Sequence, residues 1–433
     1  MREFFNLNYL RDFLNTPVKK RLMGNFLSLL FLQGANYIFP LITLPYLVRV
    51  LGPEKFGLIA FAQAFIGYFI ILTDYGFNLS ATKEISIYRD NKEKISKIFN
   101  SVIMIKLGFM TVSFLILSFL VLTIPKFKND WLIYFFTFGM VLGNVLFPVW
   151  FFQGMERMKY ITSLNITAKL IFTTSIFIFI RKMQDYIYVP LISSLGSIIV
   201  GVLSLWIVYK NFKVNFTLPD FKGIKYQLKE GWHIFISTVA ISLYTTSNTF
   251  ILGLFTNNTI VGYYSAAEKI IKASYGLLTP VSQTAYPYIS KLVTESKQKA
   301  LNFIRKLAKL VGIGTFTLSS FLFIFATPIV NIVLGPQYQQ SIVVLRILAF
   351  LPFIIGLSNI LGIQTMLTFN LKKLFSRILI SAGLLNVTLA LILSPLYQHI
   401  GVSIAVLVTE MFVTLSMFFY LEKKGIKFFR GKL

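Results

Sequence analysis

The chain has 433 residues, of which 56% are hydrophobic and 13% charged, where a soluble domain carries about 25% charged residues. It has a net charge of +26, no cysteine and two histidines, His233 and His399. These values exclude a soluble globular domain, a disulfide scaffold, a thiolate nucleophile and a zinc–thiolate site. Apolar runs of about 20 residues recur along the whole chain, each long enough to cross a hydrocarbon core. A membrane β-barrel would show segments of about 10 alternating residues instead. The expected fold class is therefore an all-α polytopic membrane protein. In such a protein the positive charge is topogenic and attracted to anionic lipids, and no nucleic-acid partner is expected.

In chain order, residues 1–22 form a cytoplasmic amphipathic segment, in which "FFNLNYLRDFL" reads as a short helix on the membrane surface. A cleavable signal peptide is not expected, because charge extends to Arg21 and the apolar run after it is too long for an h-region. Twelve spans follow, near 24–50, 57–80, 101–124, 131–153, 161–180, 187–209, 231–254, 260–284, 307–334, 342–368, 377–396 and 400–421. They divide into an amino-terminal six-helix lobe (23–209) and a carboxy-terminal six-helix lobe (231–421) around a central cavity. The basic amphipathic stretch "PDFKGIKYQLKEGW" lies in the linker between them (210–230), and a basic tail closes the chain (422–433). The Gly-Pro turns "LGPEKFG" and "LGPQY" read as helix stops.

Charge sets the orientation. On the side of the amino terminus, every connection carries lysine or arginine, as at Lys92, Lys94 and Lys97 or Lys222, Lys225 and Lys229. The opposite side carries only Lys55, Lys126, Lys128, Arg181 and Lys182. The positive-inside rule then places both termini in the cytoplasm.

A weak internal repeat supports the two lobes. "FGLIAFAQAF" (Phe56 to Phe65) superposes on "VGYYSAAEKI" (Val261 to Ile270), with Gly57 on Gly262 and Ala62 on Ala267. Gln63, Gly67, Asp74 and Asn78 follow one helical face of the second span. Their equivalents Glu268, Lys272, Thr279 and Gln283 form the polar stripe of the eighth. In the same way Gln33, Tyr37 and Pro40 map to Thr238, Ser242 and Thr245. Duplicated halves with matching polar stripes are the architecture of an alternating-access transporter.

Charges inside spans are the candidates for function, because each costs about 2.5–3.5 kcal/mol at the bilayer centre unless it meets water or a partner. The basic set is Arg49, Lys106, Lys169, Lys269, Lys272 and Arg346, and the acidic set is Asp74, Glu268 and Glu410. Arg49 and Arg346 lie near helix ends, where snorkelling explains them equally well. Lys269 and Lys272 share a face, with Glu268 placed to neutralise one of them. The excess of bases suits an anionic substrate, with lysine as a point-charge partner for phosphate. The substrate-binding candidates are Lys269, Lys272, Lys169, Lys106, Arg49, Gln33, Gln63, Asn248 and Gln283. The coupling or gating candidates are Asp74, Glu268 and Glu410. Asp74 has two readings: a structural ion pair with Lys106 at similar depth, or a working carboxylate at the inner mouth. Neither histidine recommends itself. Each reads as a solvated residue at a helix or loop end. No Gly-rich phosphate loop, HExxH or GxSxG is present, so an enzyme is not expected.

Several stretches together resemble the oligosaccharide (O-antigen type) flippases, whose superfamily also holds multidrug exporters and lipid II flippases. They are "LPYLVRVLGPEKFGLIAFAQAF", "TDYGFNLSATKEIS", "PVWFFQGMERMKYIT", "VGYYSAAEKI", "PVSQTAYPYISKL" and "LGPQYQQS", in the family's order over most of the chain. The resemblance implies two lobes around a cationic cavity in the bacterial cytoplasmic membrane. It implies movement of an undecaprenyl-pyrophosphate-linked oligosaccharide from the inner to the outer leaflet. It also implies membrane lipids as surroundings and the polysaccharide polymerase and chain-length machinery as partners. No cofactor is implied beyond coupling to H+ or Na+. The competing readings are a cation-coupled small-molecule exporter, which would favour acids over bases in the cavity, and a membrane polymerase or glycosyltransferase, which would need a sizeable extramembrane loop or a catalytic acid/base cluster.

Overall fold

With no water in a bilayer to satisfy backbone groups, a spanning chain must close its hydrogen bonds within helices, and the chain follows that rule. In the computed structural model, which describes residues 17–426 apart from Leu277, every predicted span falls mainly on helix, with breaks at Tyr75–Gly76, Phe147–Pro148 and Thr246. The surface helix expected at "FFNLNYLRDFL", within the 1–22 segment, and the last part of the basic tail lie outside the described residues. The main helices are α1 (Pro17–Asp74), α2 (Phe77–Ile87), α3 (Lys92–Thr123), α4 (Trp131–Leu146), α5 (Val149–Gly154), α6 (Met158–Phe179) and α7 (Tyr188–Asn211). They continue as α8 (Phe221–Thr245), α9 (Ser247–Phe255), α10 (Asn258–Gly276), α11 (Leu278–Glu295), α12 (Lys297–Ile324), α13 (Ser341–Leu348), α14 (Leu351–Asn359) and α15 (Lys372–Lys423).

Among the described residues, eight helical segments are long and apolar enough to cross a membrane. Two of these, Phe31–Ile87 and Lys372–Lys423, each contain two predicted spans. Non-helical residues separate the two: Gly52 (φ 69°, ψ 172°) in the first segment and Gln398 (φ 50°, ψ −130°) in the second. The seventh and eighth predicted spans are helical too, but a break at Thr246 and the polar residues of α10 and α11 keep them out of that apolar set.

The contacts divide the chain into two units. The first comprises 1–39, 66–178 and 187–238, and the second comprises 40–65, 179–186 and 239–433. Both are discontinuous: the second includes Pro40–Phe65 and Phe179–Tyr186, which precede the linker in sequence.

In the first unit α4 and α7 run against each other through small residues, as membrane helices without a hydrophobic driving force require. Gly139 faces Ser194, Gly143 faces Ser197, and Gly201 faces Leu146. Ser204 Oγ donates to the Leu146 carbonyl at 3.1 Å. The core of this unit is aromatic: Phe99, Trp150, Phe151 and Phe152 are fully buried and pack with Phe77 and Val208. The "VWFF" of "PVWFFQGMERMKYIT" is thus core. Beside it Arg89 Nη2 pairs with Glu156 at 2.8 Å and Nε donates to the Gly154 carbonyl at 3.2 Å. Gln227 of α8 donates to the buried Glu84 of α2, which ties the linker helix into this unit.

In the second unit α15 lines up with α9, α13 and α14, and buries Ile378, Ala382, Val413 and Met417. Asn386 Nδ2 donates to Thr409 Oγ1 at 3.4 Å between its two arms. His399 corrects the expectation of a solvated loop-end residue. It is 6% exposed, because the chain turns within one residue at Gln398 and leaves no loop, and its ring sits 6.1 Å from that of Tyr263.

Candidate functional site

In the second unit, the candidate site grows out of α10. Tyr264, Glu268 and Lys272 recur at intervals of four, so they stack along one helical face. The Tyr264 hydroxyl donates to Glu268 Oε1 at 3.3 Å, and Lys272 Nζ pairs with Glu268 Oε2 at 3.0 Å. The carboxylate therefore neutralises Lys272. Lys269, one residue on from Glu268, points elsewhere: its Nζ lies 4.7 Å from the centroid of the Phe56 ring. No carboxylate pairs with it among the described residues. A ring face stabilises a cation by about 0.5–2 kcal/mol without neutralising it, so Lys269 is left able to meet another anion. Its side chain is exposed, and an exposed ammonium within a span needs water rather than lipid around it.

Phe56 reaches Lys269 because α1 and α10 approach almost to backbone contact. A Cβ on Gly57 would lie 1.8 Å from the Asn258 carbonyl oxygen, and one on Gly262 would lie 2.0 Å from that of Pro53. Next to this crossing the two Gly-Pro turns interlock. Gln337 Nε2 donates to the carbonyls of Val48 and Arg49 at 3.1 and 3.2 Å, and Arg49 donates to the carbonyl of Ile332. Gly52 and Gly335 both have positive φ, 69° and 96°, and turn the chain immediately before a proline. Arg49 is therefore engaged in the clasp between turns.

A second part of the site is an uncharged cavity of about 490 Å³, lined by Thr279, Ser282, Gln283 and Tyr286 of α11 and by Asn359 and Ile363. Gln364 Nε2 donates to Ser282 O and Oγ at 3.0 and 2.9 Å. A π-helical stretch over Ile360–Leu367, where Thr365 Oγ1 reaches back five residues to the Ile360 carbonyl, sets the register that presents Asn359 and Gln364. Amides and hydroxyls in such numbers suit a polyhydroxylated ligand. Gln283 is exposed here, as a lining residue should be. Ser282 and Tyr286 were missing from the sequence candidates, although with Thr279 and Gln283 they keep helical spacing.

Of the other candidates in this unit, Gln63 and Glu410 are half-buried and Asn248 is buried, 3% exposed. Glu410 has no ion-pair partner among the described residues.

The first unit brings Asp74 and Lys106 together. Lys106 Nζ lies 2.9 Å from Asp74 Oδ1 and 3.3 Å from both the carbonyl and Oδ1 of Asn144, and Lys106 is 1% exposed. Asn78 donates to Asp74 Oδ2 at 3.4 Å. Both carboxylate oxygens are thus occupied. The chain breaks its helix directly after Asp74, at Tyr75 and Gly76, both with positive φ. Tyr75 then stacks on Phe235 of α8, with ring centroids 4.7 Å apart. "DYG" is a charge clamp followed by a docking turn. Gln33 and Lys169 are half-buried in this unit, and Lys169 has no ion pair among the described residues.

The family described as "Polysaccharide biosynthesis protein" matches residues 22–293. A putative O-antigen transporter of Escherichia coli (strain K12) is 38% identical over 408 residues, covering 94% of this chain and 98% of the relative. The fold is similar to that of an inward-facing multidrug resistance MATE family transporter of the MOP superfamily (TM-score 0.66, 15% identity, 91% of this chain and 96% of that one). It is equally similar to the lipid II flippase MurJ in an inward closed conformation (TM-score 0.66, 16% identity, 92% and 87%). Two conclusions follow from the extent of these similarities: the helical two-lobed architecture is that of the MATE and MurJ transporters, and the chain belongs to the polysaccharide biosynthesis protein family.

Proposed function

We propose that this protein is a flippase that moves a polyprenyl-diphosphate-linked oligosaccharide from the inner to the outer leaflet of a bacterial cytoplasmic membrane, by alternating access, with both termini in the cytoplasm. The observation that carries the reading is Lys269: an exposed cation in the eighth predicted span, without a carboxylate partner among the described residues, held over the Phe56 ring. Such a group favours a ligand that brings its own negative charge, as a diphosphate does. The uncharged cavity beside Gln283 supports a glycan attached to that diphosphate. Relatives named as O-antigen transporters and a fold neighbour named as a lipid II flippase support the same substrate class.

Coupling to H+ or Na+ is part of the proposal, with Glu410 as the coupling carboxylate. Asp74 and Glu268 are each paired with a lysine, whereas Glu410 has no such pair among the described residues. The test is reconstitution of the full chain in liposomes with a fluorescent diphosphate-linked oligosaccharide in the inner leaflet. Protein-dependent appearance of the label on the outer surface is the expected result. Equal rates with the Lys269→Ala variant or with empty liposomes would overturn the reading.

A further inference from the structure

The first turn of α15 breaks a rule of helix electrostatics. The amino end of a helix carries partial positive charge and favours acidic residues, yet here it begins with Lys372 and Lys373 and continues to Arg377, with no acid in the first turn and no side-chain cap. The first intrahelical amide bond runs from Phe375 to the Leu371 carbonyl at 3.0 Å, so the amides before it add further positive potential. The other end of the same 52-residue segment returns to this place and brings Tyr420, Lys423 and Lys424. Together these residues line a recess of about 840 Å³, within the range of about 300–1,000 Å³ that holds small ligands. No carboxylate lines it, and none of the five bases forms an ion pair among the described residues.

Topogenic charge alone does not account for this. The positive-inside rule is satisfied by bases anywhere in a short loop and does not require them to converge on one concave space at a helix end of the same sign. A local rule broken without visible compensation marks a functional site. The missing compensation is an anion.

The rim shows what carries that anion. Tyr420 is 45% exposed, and Phe419 beside it is 64% exposed. Below them on the same arm, Leu415 and Met411 are exposed as well. The recess therefore opens onto an apolar helix flank, where a lipid's chains can lie while its headgroup enters. Basic pockets between membrane helices take anionic lipid headgroups in this manner.

We propose that the recess between the two ends of α15 binds a lipid-borne phosphate group, held by Lys372, Lys373, Arg377, Lys423 and Lys424 with the free amides of the first turn. This site stands apart from Lys269 and its cavity, and it does not depend on the transport reading. Two lipids offer the same chemistry: an anionic phospholipid, and a polyprenyl diphosphate.

The test is native mass spectrometry of the full chain, released from phosphatidylcholine nanodiscs after addition of phosphatidylglycerol, cardiolipin or a short-chain polyprenyl diphosphate, each in turn. The recess variant is Lys372→Gln, Lys373→Gln, Arg377→Gln. The control, Lys291→Gln, Lys297→Gln, Lys299→Gln, removes the same charge from another basic loop. With several bases each attracting the anion, retention of phosphate lipid by the recess variant should fall about tenfold or more, and the control should hold within about twofold. If the recess variant is not recovered from membranes, Lys423→Gln, Lys424→Gln on the opposite rim is read in the same way. Retention of the phospholipids alone, of the diphosphate alone, or of both supports the site and names its source. Equal loss in recess and control variants, or undiminished retention in the recess variant, overturns it.

Discussion

Gly57 and Gly262 pack against each other where α1 crosses α10, and they are also equivalent positions of the internal repeat, 205 residues apart. A Cβ on Gly57 would stand 2.5 Å from the Gly262 amide nitrogen and closer still to the Asn258 carbonyl oxygen. Backbone cannot yield as a side chain can, so alanine at either position forces the helices apart. Overpacking a tight site costs about 1–3 kcal/mol, and this site lies at the upper end. Gly57→Ala and Gly262→Ala should each lower the thermal midpoint in detergent, while Gly67→Ala, with nothing near its Cβ, should not. Equal midpoints for Gly57→Ala and Gly67→Ala would contradict the close crossing.

The interlocked Gly-Pro turns make a second prediction. Gln337→Ala removes two donated hydrogen bonds, to Val48 and Arg49, and should destabilise by about 0.5–1.5 kcal/mol per bond. If transport requires these turns to part, Gln337→Ala should also raise accessibility at the crossing. The chain has no native cysteine, so a single Lys55→Cys label reports accessibility without background. Faster labelling of Lys55→Cys in the Gln337→Ala background is the expected outcome. An unchanged rate would make the clasp a static feature.

Lys269 and Lys272 are separable, although they sit three apart on one helix. Lys272 is already neutralised by Glu268 at 3.0 Å, and Lys269 is not. Lys269→Ala should therefore reduce glycan translocation about tenfold or more, as loss of a charged hydrogen bond of roughly 1.5–3 kcal/mol implies, with normal membrane abundance. Lys272→Ala should have the smaller effect on translocation. Lys269→Arg should retain most activity if charge alone matters. A larger defect in Lys272→Ala than in Lys269→Ala would reverse the assignment of the free cation.

Asp74→Asn leaves Lys106 buried with only Asn144 as partner. Breaking one side of a buried pair costs about 3–5 kcal/mol, so the variant should be poorly recovered from membranes. Removing both charges, as Asp74→Asn with Lys106→Met, should restore abundance, and transport should return with it because both oxygens of Asp74 are already occupied in a clamp. Abundant but inactive double variant would give Asp74 a working role beyond the clamp.

How much of this was readable beforehand differs between elements. The Asp74–Lys106 pair was legible, because two opposite charges at equal depth in a bilayer have few other solutions. Gly57 and Gly262 stand out in the sequence as aligned positions, but nothing in the sequence said that these two residues touch. The division of labour at Glu268 was half legible: helical spacing allows Lys272 at i+4, and a neighbour at i+1 points away. Phe56, by contrast, is one of 45 phenylalanines, and only the glycine crossing brings it to Lys269.

The sequence by itself determined that the chain is helical, where most of its helices lie, and the apolar class of the protein. It does so because a bilayer leaves the backbone no partner outside the helix, so length and hydropathy suffice. Only the tertiary structure decided which helix faces meet. It turned the chain at Gln398 within one residue and buried His399. It buried "VWFF" in the core of the first unit, and it brought Lys372 and Lys424 to one recess from opposite ends of a 52-residue segment. Periodicity shows that a face is polar, but its partner is chosen by packing between residues far apart in the chain.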